Sequence, residues 1–82
     1  MTKNQTTGDS RNLVKVVPLS ADLMTGAESI AEFMFGDTSE ANRRRVYHAS
    51  DKLGLPTFKL GGTICARRST ILAWIERQEA RS

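Results

Sequence analysis

The feature that most constrains this chain is its punctuation by glycine and proline between residues 54 and 62. Gly54 is followed closely by Pro56, and Gly61 and Gly62 stand side by side a short way on. Glycine relieves the steric cost of the left-handed residue that closes a helix, while proline lacks the amide proton a helix needs and clashes with the preceding turn. A helix arriving from the N-terminal side therefore ends at Gly54. The paired glycines divide residues 57–66 (TFKLGGTICA) into two short β-prone runs, which predicts a hairpin.

The remaining elements are placed outward from that centre. The helix ending at Gly54 begins near Glu40, with Thr38 or Ser39 as its N-cap. At 100° per residue, Asn42, Val46, Ala49, Ser50 and Leu53 share its buried side. Glu40, Arg44, Tyr47, His48 and Asp51 lie opposite, flanked by Arg43. Before it, Thr25 and Glu28 have capping-box spacing and open a helix whose apolar stripe is Ala27, Ile30, Ala31, Phe33 and Met34, ended by Gly36. After the hairpin, Ser69 is the N-cap of a third helix running to about Ala80, with Ile71, Leu72, Trp74 and Ile75 as its apolar positions. In the hairpin itself, a two-residue loop aligns Phe58 with Cys65. A three-residue loop, residues 61–63, gathers Phe58, Leu60, Ile64 and Ala66 on one face and is the register expected. Residues 1–12 read as a disordered arm, and residues 13–17 (LVKVV) as a minor edge strand ended by Pro18.

Composition narrows the function classes. A chain of 82 residues supports one domain, 13–82 after the arm, with a modest core and no large enclosed cavity. Hydrophobic residues are 39% and charged residues 26%, the balance of a soluble globular protein. No apolar run approaches a membrane span and residues 1–12 lack the apolar segment of a secretory signal, so a cytoplasmic protein without membrane contact is expected. Cys65 and His48, the single cysteine and histidine, are too few for a closed structural zinc site, and no metal or other cofactor is expected. No nucleophile–base set or phosphate-binding glycine loop is visible, which argues against an enzyme. Charge is segregated: three basic residues face six acidic ones through residue 41, and nine face three from residue 42 on. Such concentration suits a polyanion, and nucleic acid is the commonest in the cytosol.

From Leu23 to Gln78 the chain resembles the excisionase-like, MerR-type winged helix-turn-helix family. The resemblance rests on residues 25–33 (TGAESIAEF), 44–47 (RRVY), 54–56 (GLP) with 58–62 (FKLGG), and 67–75 (RRSTILAWI), in that order. It implies a mainly α fold with a small β-hairpin wing, three helices plus an antiparallel hairpin. It also implies a recognition helix over about 40–53 in the major groove and a wing over 57–66 on the adjacent backbone or minor groove. Carried onto this sequence, the DNA-binding residues are Arg43, Arg44, Tyr47 and His48 on the helix, with Lys59, Gly62, Thr63 and Arg67 in or beside the wing. Arg43 or Arg44 is the expected base reader, because arginine can donate twice to a guanine edge. Tyr47, Lys59 and Arg67 are expected on phosphates. Arg45, nearer the buried side, is expected to pair with an acidic residue of the first half, Trp74 to sit in the core, and Cys65 to serve as a small buried hydrophobe.

Double-stranded DNA is the expected partner, with an integrase or RNA polymerase as a protein partner. An excisionase, which is a recombination directionality factor, and a small transcriptional regulator both fit. In either role the chain is expected to be monomeric or weakly self-associating, and cooperative on DNA. The alternative is a protein-interaction module that binds a regulator or recombinase with the same fold and reads no DNA. The acidic residues Glu28, Glu32, Asp37 and Glu40 keep that alternative open.

Overall fold

The computed structural model describes residues 18–81. The arm expected over 1–12 and the strand expected over 13–17 lie outside the described residues. In chain order the elements are α1 (Leu19–Asp22), β1 (Leu23–Thr25), α2 (Ala27–Phe35), α3 (Glu40–Lys52), β2 (Phe58–Leu60), β3 (Thr63–Arg67) and α4 (Arg68–Arg81). The described residues are mainly helical, with one small antiparallel sheet of order β1-β3-β2. Among the described residues no helix is long and apolar enough to cross a membrane.

The helix boundaries follow from local chemistry. Gly36 ends α2 at φ 97°, a left-handed conformation that costs other residues energy, and its N–H donates back to the carbonyl of Glu32. Ser39 caps α3 by accepting the N–H of Asn42 at 3.2 Å. At the far end of α3 the amides of Leu53 and Leu55 both donate to the carbonyl of Ala49, which turns the chain back and buries Leu55.

Several expectations are overturned by pairing between distant segments. Thr25 does not cap α2: it lies in β1 opposite Cys65, and the residue at the helix start is Gly26, at φ 93° with no side-chain cap. The N–H of Gly26 donates instead to the carbonyl of Ile64 at 2.8 Å, so cross-strand pairing replaces the capping box. The hairpin turns in two residues, not three, with Phe58 opposite Cys65, Lys59 opposite Ile64 and Leu60 opposite Thr63. Gly61 and Gly62 both have positive φ, the combination whose twist matches that of paired strands. The apolar pattern misled because Ile64, Cys65 and Ala66 are all buried, so the central strand is covered on both faces and its alternation carries no register signal. Phe58 and Leu60 are exposed.

Ser69 is likewise a hydrogen-bond donor and not a cap. Its N–H and hydroxyl both go to the carboxylate of Asp22, which also accepts from Arg67 Nε at 2.9 Å. The start of α4 is thus capped by a side chain from the α1–β1 junction. Arg68 Nη1 adds a bond to the carbonyl of Ala21 at 2.8 Å.

The core follows from these contacts. Met24, Ile64 and Ala66 of the sheet join Ala27, Ile30 and Ala31 of α2 in one buried cluster. Val46 and Ala49 of α3 pack into it, and Leu55 and Ile71 close it. Trp74 is only partly buried against this cluster, and Leu72, expected among the apolar positions of α4, is exposed. Leu53 also leaves the buried side of α3, because the helix stops at Lys52 and the chain turns there.

Candidate nucleic-acid interface

Helix α3 stands out from the core with Val46 and Ala49 beneath it, so its remaining positions divide into a crest and two flanks. The flank toward the hairpin carries Arg43 and Tyr47. They line a groove of about 320 Å³ together with Gly62 and Thr63 of the hairpin and residues 26–28 at the start of α2. Four expected site residues therefore converge on one place, although the two pairs come from different elements. Arg43 is oriented by donation from Nη1 to the carbonyl of Thr38 at 2.8 Å. Tyr47 is 52% exposed. Gly62 leaves open space where a side chain would be, so a large ligand can approach the turn closely.

The other four expected residues lie elsewhere. Arg44 is on the crest, where Nη1 pairs with Glu40 Oε2 at 2.9 Å one turn back and both side chains remain largely exposed. His48 is on the opposite flank, in a second, apolar cleft. Lys59 is exposed on β2, an edge strand of the sheet. Arg67, at the end of β3, gives its Nε to Asp22, yet about half of its side chain stays exposed. Among the described residues Arg45 does not pair with an acid: its Nη1 donates to Asn42 Oδ1 at 3.1 Å and its guanidinium lies 4.1 Å from the centre of the Phe35 ring. An aromatic face attracts the cation where no carboxylate is within reach.

Sequence reasoning missed Gly26, Ala27 and Glu28 as groove residues. Capping-box spacing assigns Glu28 to its own helix end, and that reciprocal bond lapses once Thr25 is drawn into β1. The signal was the glycine at position 26, which at φ 93° lets the chain leave the strand and enter α2 beside the hairpin tip. Glu28 is the carboxylate among the groove's lining residues, facing a site otherwise marked by Arg43 and a tyrosine hydroxyl.

Two carboxylates are held ionised around this frame. Asp22 lies below its ordinary value of 3.8, chiefly through the Ser69 hydroxyl, then the Ser69 N–H, with Arg67 adding to them; burial opposes the shift. Asp37 is lowered by the N–H of Ser39, then by the Ser39 side chain and Asn42 Nδ2, which fastens the loop that enters α3. Compared with protein-family models, with curated proteins and with solved structures, the chain matches none.

Proposed function

We propose that this protein is a sequence-specific binder of double-stranded DNA, built as a winged helix-turn-helix and without catalytic activity of its own. It acts as an excisionase or as a small transcriptional regulator. The observation that carries the reading is the convergence of Arg43 and Tyr47 of α3 with Gly62 and Thr63 of the hairpin on a single groove. A helix of this size fits the major groove, and a hairpin tip bare of side chains fits against a sugar–phosphate backbone or a minor groove. In this arrangement Arg44 leads from the crest and reads a guanine edge. Arg43 and Tyr47 hold phosphates beside the wing. Glu40 and Glu28 are the acidic neighbours that limit indiscriminate attraction.

A salt titration of binding to duplex DNA tests the reading. Contacts to several phosphates make log K fall linearly with log salt, by about 0.9 for each phosphate neutralised. Absence of duplex binding at low salt by folded protein overturns it. Cooperative binding to direct repeats with bending then favours an excisionase, and dimeric binding to an inverted repeat favours a regulator.

A further inference from the structure

The flank of α3 turned away from the hairpin carries a different kind of surface. Met34 and Phe35 at the end of α2, Leu53 beyond α3 and Trp74 of α4 floor an open cleft of about 580 Å³, within the size range of ligand sites. Leu53 is 56% exposed there. The rim carries the guanidinium groups of Arg44 and Arg45, with His48 beside them, and none of the lining residues is acidic. Arg45 is already held in place by Phe35 and Asn42, so one rim charge is prepositioned. Among the described residues Arg44 is paired with exposed Glu40, a pairing that a partner's carboxylate can replace at little cost.

Floor and rim make different demands on an occupant. Duplex DNA offers phosphates to the rim but only isolated thymine methyls and sugar edges to an apolar floor. A neutral apolar ligand fills the floor and leaves the cations unmatched. A helix with apolar residues on one side and carboxylates flanking them satisfies both, laid into the trough between α2, α3 and α4 as helix-in-groove recognition requires. We propose that this cleft docks an acidic amphipathic helix of a protein partner. It is separate from the groove lined by Arg43, Tyr47, Gly62 and Thr63 and shares Arg44 with the proposed duplex contact, but its apolar floor and Arg45 do not depend on DNA binding.

Trp74 is the single tryptophan of the chain and lines the cleft, so it reports occupancy directly. The test uses full-length protein and three synthetic helical peptides: one with leucines at i, i+3, i+4 and i+7 flanked by glutamates, one with those glutamates changed to lysines, and one of scrambled acidic sequence. The acidic amphipathic peptide is expected to shift Trp74 emission and to bind at least tenfold more tightly than the other two. Leu53→Asp is expected to weaken it at least tenfold with an unchanged circular dichroism spectrum. Arg45→Glu is expected to reverse the preference toward the lysine peptide. Equal binding of all three peptides, or wild-type affinity in both variants, overturns the proposal. So does a concentration-dependent dimer abolished by Leu53→Asp, which makes a second copy the occupant. Duplex binding measured in parallel on wild type and Leu53→Asp separates failure of this proposal from failure of the DNA reading.

Discussion

The carboxylate of Asp22 accepts both donors of Ser69, the backbone N–H at 2.8 Å and the hydroxyl at 2.6 Å, across 47 residues of chain. A helix start left unpaired normally recruits a cap from the residue just before it. Here the cap comes from the opposite end of the described chain and is itself buried. Docking of α4 and seating of the α1–β1 junction are therefore one event. Asp22→Ala is expected to lower Tm by on the order of 5 °C or more, as loss of a helix cap does in a small domain, read by thermal circular dichroism. An unchanged Tm would show that water replaces the carboxylate without cost.

Acid stability follows from the same group. Because Asp22 and Asp37 hold their protons less tightly when folded than their ordinary value of 3.8, the unfolded chain protonates first as pH falls. The stabilisation is fully present above that value and is lost as pH drops below it, through the lowered folded values. Denaturant midpoints measured from about pH 6 to pH 2 are expected to decline in this lower range, and Asp22→Asn is expected to flatten part of the decline.

Arg44→Ala separates recognition from folding. Its pair with Glu40 is exposed and one helical turn apart, so its removal is expected to change stability by less than about 0.5 kcal/mol. Binding to a selected duplex site is expected to weaken by about 1 to 3 kcal/mol with relaxed preference at one base position. Unchanged affinity and preference remove Arg44 from the readout.

The groove beside the hairpin is expected to respond to charge in both directions. Arg43→Ala should weaken binding to all duplexes alike and reduce the salt slope by about 1. Glu28→Gln should strengthen binding in low salt, because it removes a carboxylate from the same groove. Affinity that moves the same way in both variants, measured by fluorescence anisotropy, contradicts a phosphate site there.

Gly62→Ala probes the turn itself. Nothing lies within 4 Å of the added methyl, so any cost comes from φ of 89°, a conformation that side chains other than glycine's rarely adopt. A loss of about 1 to 2 kcal/mol in chemical denaturation is expected. A neutral result would mean that the hairpin relaxes to a different turn.

The elements whose determinants are local were legible in the sequence. Ser39 three residues before Asn42, Gly36 after a periodic apolar stripe and Gly54 before Pro56 each act within a turn of the helix they bound, and α2 and α3 fall where those signals put them. What escaped was set by partners far along the chain. Leu23–Thr25 is three residues long and becomes a strand only because β3 pairs with it. The hairpin register was hidden by the two-sided burial of β3. For the candidate site, helical periodicity placed Arg43 and Tyr47 on the outer half of α3, and the paired glycines placed the turn. That His48 faces an apolar cleft, and that Arg67 is shared with Asp22, depend on how α4 and α1 dock, which no local pattern encodes.

The pairing of β1 with β3 also sets when this protein can fold during its synthesis. Residues 23–25 find their strand partners only after 40 to 44 further residues have been joined, and Asp22 its serine after 47. At about 5 to 20 residues per second, the nascent chain waits roughly 2 to 9 seconds with β1 unmatched. Helices α2 and α3 are complete only at Lys52, so for the last part of that interval they have each other to pack against but neither β3 nor α4.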